Sequence, residues 1–412
     1  MKRLFNFSWK LTGLLIGGGL YFAVNLMIMR YLGPTAYGQW AYVLGLSGLF
    51  MILVDYGFNP LIVRDVSQNL NLAPAYFRQI SRLKFQFFLI ATLCLVLTVL
   101  AIHRSSLPIT IMLWAAVLWG ATSLVDMGQA FTHASEHFRT GAFLGVAHKA
   151  AMCIMAVTAM ILGATLLPLM RSLALGAFVG ALITYLYFYQ HFFKTSSPAR
   201  SEIKTRYLLR EGLPLLVQNL FIIVYFRVDT LLLAWMANDR QTGLYNAAYR
   251  FFELSNVLPT ALLAASVSFI SRQVEKEDWT RLLAQQLRPF LGLACMGGLI
   301  LYGISWMMPG WLLNREFAGS VPILRLLAWT LLFYYPNFLL TTFLVLIKRQ
   351  VTNAYIAGLC VVINIAGNWY AIPRWGGMGA AFMTLATEAS ITVLSLAAII
   401  FYQQQRAGSS TQ

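Results

Sequence analysis

The chain has 412 residues, of which 59% are hydrophobic and 11% charged. Soluble domains carry about 25% charged residues, so this composition excludes an ordinary soluble fold and reads as a polytopic membrane protein. The net charge of +16 does not point to nucleic acid, because the cations fall between apolar runs rather than along one soluble face. No nucleic-acid partner is expected. Cys94, Cys153, Cys295 and Cys360 lie inside apolar runs without metal-ligand spacing and read as packing residues.

Apolar runs of spanning length occur at 9–30, 38–57, 82–102, 108–131, 141–163, 170–193, 213–236, 244–270, 288–308, 321–347, 353–372 and 377–402. The expected fold is therefore all-α and integral to the membrane, with twelve spans. The first run follows Lys2, Arg3 and Lys10. It is too long for the core of a signal peptide and lacks a small-x-small cleavage site, so it is expected to stay as an uncleaved span.

Basic residues set the orientation. With a cytoplasmic N-terminus, the inner segments hold twenty Lys and Arg, among them Arg64, Lys84, Arg200, Arg210, Arg281 and Arg406. The outer segments hold six: Arg30, Arg104, Arg171, Arg240, Arg315 and Arg374. That bias places both termini in the cytoplasm. Trp40, Trp235, Trp306, Trp311 and Trp375 fall at outer span ends, where an interfacial belt is expected. The longest polar stretches, 64–81, 194–211 and 271–287, are all cytoplasmic. The first and third carry apolar residues at helical spacing and are expected as amphipathic surface helices. The second contains Lys194-Thr-Ser-Ser-Pro198-Ala-Arg200 and reads as a linker. It separates an N-terminal lobe, residues 1–193 with spans 1–6, from a C-terminal lobe, residues 212–412 with spans 7–12. The lobes look faintly related. Gly33-Pro34-Thr-Ala-Tyr37-Gly38 and Asn238-Asp-Arg-Gln-Thr242-Gly243-Leu-Tyr245 each close the first hairpin of a half. Duplicated halves with a site between them are a common transporter plan.

Residues 212–253 put four charges inside one hairpin of membrane-spanning length. A charge in hydrocarbon costs roughly 2.5–3.5 kcal/mol on insertion scales, so each needs a partner or a wet cavity. At ~1.5 Å per residue, Arg227 and Asp229 lie about 12–15 Å below the turn at 238–240, and Arg250 and Glu253 about 10–15 Å below it. All four fall near mid-membrane. Two arrangements are open: the arginines face a cavity, or Arg250 pairs with Asp229 and Arg227 with Glu253. A mixed arrangement is expected, with Asp229 neutralising one arginine and leaving the other partly available.

Several motifs in chain order resemble one family. They are Arg30-Tyr-Leu-Gly-Pro-Thr-Ala-Tyr-Gly, Asp55-Tyr-Gly57-Phe, Arg227-Val-Asp229-Thr, Gly243-Leu-Tyr245-Asn-Ala-Ala-Tyr249-Arg250, and Gly376-Gly-Met-Gly379-Ala-Ala381. Together they resemble the polysaccharide (Wzx-like) flippases of the multidrug/oligosaccharidyl-lipid/polysaccharide exporter superfamily, over the whole chain. The resemblance implies two pseudo-symmetric six-helix lobes around a central cationic cavity, in the bacterial cytoplasmic (inner) membrane. It implies transport of an undecaprenyl-pyrophosphate-linked oligosaccharide from inner to outer leaflet by alternating access, for O-antigen, capsule or exopolysaccharide assembly. The implied partners are the lipid-linked oligosaccharide, the phospholipid bilayer, and polysaccharide polymerase and chain-length proteins. No cofactor is expected, and proton or sodium coupling would drive turnover.

Such transport needs fixed cations, and Arg suits pyrophosphate because its planar fork bonds two oxygens at once. Arg227 and Arg250 are the first candidates for substrate contact, with Glu253 a candidate for the coupling ion. Lys149 sits about 12 Å into span 5 and either contacts phosphate or ties to Asp126. Arg325, near the outer end of span 10, either snorkels or binds ligand. Glu388, at mid-depth in span 12, is either a coupling site or a neutral hydrogen-bonded acid. Arg30 ends span 1 outside, as a product contact or a solvated helix end. Asp55 and Arg64 sit at the inner mouth, as a gate or as loop stabilisers. His133-Ala-Ser-Glu136-His137 fits an H-x-x-E-H pattern, but it falls in a short turn with no third ligand, so no metal is expected. Gly13/Gly17, Gly141/Gly145 and Gly176/Gly180 read as helix-packing pairs. Pro214, Pro259, Pro322 and Pro336 read as bends.

Three other functions compete. A cation-coupled multidrug exporter of the same superfamily often has an acidic residue in its first span, and residues 11–29 contain none. A membrane glycan polymerase or ligase needs a large outer loop, and no outer loop here exceeds about fifteen residues on the span reading. The chain is therefore not expected to be an enzyme. A non-transporting scaffold of the glycan assembly complex would tolerate neutralised span charges.

Overall fold

The computed structural model describes residues 2–102, 107–195, 203–274 and 278–409. Its helices are α1 (Lys2–Asp55), α2 (Phe58–Leu61), α3 (Ala73–Ile102), α4 (Ile109–Ala134), α5 (Phe138–Ile161), α6 (Leu166–Thr195), α7 (Thr205–Met236), α8 (Asp239–Leu254), α9 (Val257–Gln273), α10 (Trp279–Met307), α11 (Ser320–Leu346) and α12 (Gln350–Ser409). Among the described residues, ten helical stretches are long and apolar enough to cross a membrane, α8 and α9 forming one of them.

Two of the ten are double length and break where the sequence demands it. In α1, Gly33 adopts φ 71, ψ 172, a conformation open to glycine alone, and Pro34 restarts the helix at a position where its missing N–H costs nothing. In α12, Gly376 at φ 54, ψ −131 makes the second break, three residues after Pro373. These joints fall between the first and second apolar runs and between the eleventh and twelfth. The eighth run is interrupted differently. A proline ring clashes with the carbonyl four residues earlier. For Pro259 that is Ser255, where α8 stops, and the Ser255 carbonyl accepts a hydrogen bond from the Tyr335 hydroxyl at 2.9 Å.

The expected surface helices do not stand apart. Residues 73–81 are the first turns of α3, preceded by a π-helical turn at Ile62–Val66 and a 3-10 turn at Leu70–Leu72. Nothing between Ala73 and Ile102 breaks a helix after Pro74 in its first turn, so the amphipathic part and the span run on as one. Likewise residues 279–287 open α10, capped by Asp278, whose side chain accepts from the amides of Thr280 and Arg281. Hydrogen bonds from the Thr280 side chain and then the Arg281 amide hold the Asp278 carboxyl below the usual carboxylate range. Of the expected linker, residues 196–202 lie outside the described residues, and 205–211 are the first turns of α7.

The chain packs as two units. One comprises the residues up to Leu32 together with Gln39–Arg227; the other comprises Gly33–Gly38 and the residues from Val228 onward. The first has an aromatic-rich core: Phe77 packs against Phe131 and Phe188, with ring centroids 5.9 and 6.3 Å away. The glycine pairs serve close helix contact within this unit, Gly13 against Ala142 and Gly176 against Ala151 and Met152. The second unit has an aliphatic core around Ile270, Leu282, Phe290, Leu339, Phe343 and Ile399. Trp235, Trp306, Trp311 and Trp375 are exposed, as the belt requires, but Trp40 is buried at 1% exposure and belongs to the core.

In the second unit the two related turns meet. A Cβ on Gly38 would lie 1.7 Å from the Asp239 carbonyl oxygen, and one on Gly243 would lie 1.8 Å from that of Pro34. Backbone touches backbone, so neither neighbour can yield by rotating a side chain. Gly38→Ala is expected to force the segments apart at a cost of about 1–3 kcal/mol or more. The check is the midpoint of thermal aggregation of purified protein, which should fall by several degrees. An unchanged midpoint would show that this contact does not matter to stability.

Candidate functional site

Among the described residues, polar clusters sit inside the apolar helices of both units. In the second unit, Asp229 on α7 is 6% exposed. Its Oδ2 accepts from the Tyr245 hydroxyl at 2.8 Å and from Thr384 Oγ1 at 3.2 Å, and its Oδ1 from Asn368 Nδ2 at 2.7 Å. Asn368 Nδ2 also reaches Asn364 Oδ1 at 3.0 Å, and Asn364 donates to Thr387 at 3.2 Å. Beside this network Thr230 donates to Asn246 at 3.0 Å. Asparagines 364 and 368 are one turn apart on α12, as are Thr384 and Thr387 beyond the Gly376 break, so the bend lets both arms of α12 face α7. A carboxylate surrounded only by neutral donors and further oxygen atoms is a place where a proton or a small hard cation gains directly.

Asp229 therefore does not neutralise Arg250. The Arg250 guanidinium bonds Glu253 at 2.8 Å, three residues on along α8. The pairing across the hairpin fails because helical geometry supplies a nearer partner on Arg250's own helix. Arg227 is half-buried. It stands two residues from Asp229, roughly 200° around α7, so the two side chains leave on opposite sides.

In the first unit the centre is Lys84. Counted from the sequence among the cytoplasmic charges, it is 1% exposed. Its Nζ bonds Asp55 Oδ1 at 2.8 Å, Ser123 Oγ at 2.6 Å and the Ser123 carbonyl at 3.2 Å, and Ser123 Oγ donates to the same Asp55 oxygen at 2.6 Å. Asp126, one turn further along α4, is exposed and lies within electrostatic reach of Asp55, Lys84 and Lys149. Lys149 on α5 makes no ion pair among the described residues. Its ammonium faces the Tyr21 ring at 6.0 Å, and its stem packs on Gly17.

Asp55 and Arg64 are not brought together. Arg64 bonds Asp65 at 2.6 Å, Glu211 at 3.0 Å and the Tyr207 hydroxyl at 2.9 Å, joining the π-helical turn to the start of α7. The other sequence candidates lie apart. Arg325 is stacked on Trp306 at 4.3 Å and Tyr302 at 5.1 Å, with Nε on Ser305 at 3.1 Å, so its guanidinium is occupied by its own unit. Glu388 is 2% exposed and accepts from Asn337 Nδ2 at 2.7 Å. Arg30 is exposed near the end of the first half of α1.

The sequence reading missed Lys84, Ser123, Tyr245, Asn364, Asn368 and Thr384. The signal was present for four of them: polar residues spaced by one helical turn within apolar runs, which a lipid-facing surface would not carry.

Comparisons with known proteins bear on the whole chain. A family model described as "Polysaccharide biosynthesis protein" matches residues 4–272, and the MatE model matches residues 214–370. Among solved structures, the lipid II flippase MurJ in an inward closed conformation is similar over 97% of this chain and 87% of that one, with 13% identity and a TM-score of 0.70. An inward-facing multidrug resistance MATE family transporter of the MOP superfamily is similar over 97% and 98%, with 14% identity and a TM-score of 0.72. A MOP superfamily transporter from Pyrococcus furiosus, described as having a binding pocket of reverse polarity, aligns over 99% and 96% with 13% identity and a TM-score of 0.56. No curated protein sequence matches. At these identities the structural likeness is one of fold.

Proposed function

The chain belongs to the polysaccharide biosynthesis protein family within the multidrug/oligosaccharidyl-lipid/polysaccharide exporter superfamily, and on that premise we propose that it is a flippase for an undecaprenyl-pyrophosphate-linked oligosaccharide. It moves this lipid from the inner to the outer leaflet of the bacterial cytoplasmic membrane by alternating access, for O-antigen, capsule or exopolysaccharide assembly. It crosses the bilayer twelve times, the breaks at Gly33 and Gly376 serving as outer turns, with both termini in the cytoplasm.

The observation that carries this reading is the set of cations within apolar helices that retain exposure: Lys149, Arg227 and Arg250 are each half-buried. Hydrocarbon does not tolerate them, and an anionic pyrophosphate requires them. Lys149, with no carboxylate paired to it among the described residues, is the phosphate contact of the N-terminal lobe, and Arg227 and Arg250 are those of the C-terminal half. Asp229 is the acceptor for the coupling proton or sodium ion, because its partners are neutral. Arg64 clasps the cytoplasmic end of α7. Polysaccharide polymerase and chain-length proteins would then receive the product at the outer face.

Losing a charge-assisted bond to phosphate costs about 1.5–3 kcal/mol, or roughly tenfold to a hundredfold. Arg227→Ala and Arg250→Ala are each expected to lower surface polysaccharide by that factor at unchanged protein level, read by immunoblot of both. Persistence of export in both variants would end the anion-binding role and favour a scaffold. A deletion strain should accumulate lipid-linked repeat units on the inner leaflet.

A second reading draws on the MatE match over residues 214–370, which favours a cation-coupled multidrug exporter. Growth of the deletion strain on cationic dyes separates the two. The flippase reading expects no change in dye resistance.

A further inference from the structure

The first unit holds a cavity of about 180 Å³ whose walls include Gly48, Met51, Asp55, Trp119, Asn219 and Ile223. We propose that this cavity is a sugar subsite that takes a single pyranose ring of the cargo, an inference that rests on the flippase reading. Asp55 Oδ2 and the Asn219 amide bond its hydroxyls, and the Trp119 indole covers one face.

Three features make this a built site. The first is the Asp55 carboxylate. Its Oδ1 is held by Lys84 Nζ and Ser123 Oγ, which fixes the group and compensates its charge. Its Oδ2 carries no hydrogen bond among the described residues, and a carboxylate oxygen has two acceptor positions to offer. The second is Asn219, half-buried on α7, whose side chain also makes no hydrogen bond among the described residues. An amide both donates and accepts, which matches a hydroxyl that does the same. The third is Trp119. Its Nε1 donates to the Leu44 carbonyl at 3.2 Å, which fixes the ring plane. The indole packs against Gly48, where a Cβ would come within 3.3 Å of Cε2, so a larger residue there would displace it.

The chemistry selects the ligand class. Asp55 Oδ2 is an acceptor and offers phosphate oxygens no donor, so the cavity does not serve the anionic part of the cargo. A purely apolar drug would leave Asp55 Oδ2 and Asn219 dry and unpaired, which is costly. An undecaprenyl tail needs an extended apolar groove. A neutral, hydroxyl-rich ring with one apolar face satisfies every wall. The size agrees, since pockets for drug-sized molecules run to about 300–1,000 Å³ and this one has room for a single ring.

Two probes test the proposal on full-length protein in lipid nanodiscs: lipid-linked oligosaccharide extracted from a strain lacking this protein, and undecaprenyl pyrophosphate alone. Wild type is expected to bind the sugar-bearing lipid about tenfold or more tightly than the bare lipid. Asn219→Leu and Trp119→Leu should bring that ratio toward one by weakening binding of the sugar-bearing lipid. Trp119→Phe, which keeps an aromatic face, should retain most of the ratio. If both leucine variants keep the wild-type ratio, the subsite is overturned and the flippase reading stands. If they weaken both lipids equally, Asn219 and Trp119 serve the fold and the subsite is again overturned. If wild type binds neither lipid, the flippase reading itself falls.

Discussion

Asp229→Asn is expected to abolish polysaccharide export while the protein stays in the membrane at its wild-type level. The substitution is isosteric, and the network around it re-forms. The new amide oxygen accepts from Asn368, and the amide nitrogen donates to the Tyr245 and Thr384 hydroxyls, which turn from donors into acceptors. What is lost is the negative charge. If Asp229 takes up the coupling ion, turnover stops, because a neutral amide cannot bind a proton and offers one oxygen where a cation had two. Asp229→Leu is the contrast. It removes the acceptor from three buried donors at about 1–3 kcal/mol each, so both protein and export should disappear. The measurement is surface polysaccharide against membrane protein level in a complemented deletion strain. Export persisting in Asp229→Asn would reduce the network to a structural one.

The second large effect is an asymmetry. Asp55→Ala leaves the Lys84 ammonium, 1% exposed, hydrogen-bonded to Ser123 alone, with the carboxylate of Asp126 in electrostatic reach but not bonded to it. Breaking a buried pair this way costs roughly 3–5 kcal/mol, a large part of the stability of most domains. The protein should be degraded or aggregate. Lys84→Met is expected to be milder, because Asp55 keeps 37% of its side chain exposed and can be solvated. The double variant Asp55→Ala/Lys84→Met should recover most of the protein lost in Asp55→Ala alone, since no uncompensated charge remains. Protein level and thermal aggregation midpoint for the three variants give the double-mutant cycle. Equal losses in both single variants, without recovery in the double, would show that the pair is not the source of the effect.

Much of the architecture was legible because hydrocarbon is a demanding solvent. Backbone polar groups must be satisfied within the helix, so long apolar runs announce helices, and the joints at Gly33-Pro34 and Gly376 announce themselves by residue type. Gly38 and Gly243 were visible as parts of two similar turns, but nothing in the sequence says that these turns touch. Among the charges, the residue types and approximate depths at 227, 229, 250 and 253 were readable. Their partners were not. Periodicity places a side chain on a helix without saying which neighbour that face meets. Arg250 took Glu253 on its own helix, and Asp229 took Tyr245, Asn368 and Thr384, the last two more than a hundred positions away in the chain.

Lys84 is the sharpest case. By composition it sat with basic residues at a cytoplasmic end, where lysines usually reach water. The tertiary structure buries it against Asp55 and Ser123, because α3 continues unbroken from its amphipathic start and packs that turn on α4. The sequence by itself determined the solvent of this protein, the positions of its helices and the kinds of charge they carry, since these follow from local transfer energies. Only the tertiary structure decided which charges pair and which keep exposure, because pairing depends on distances between helices that no local pattern encodes.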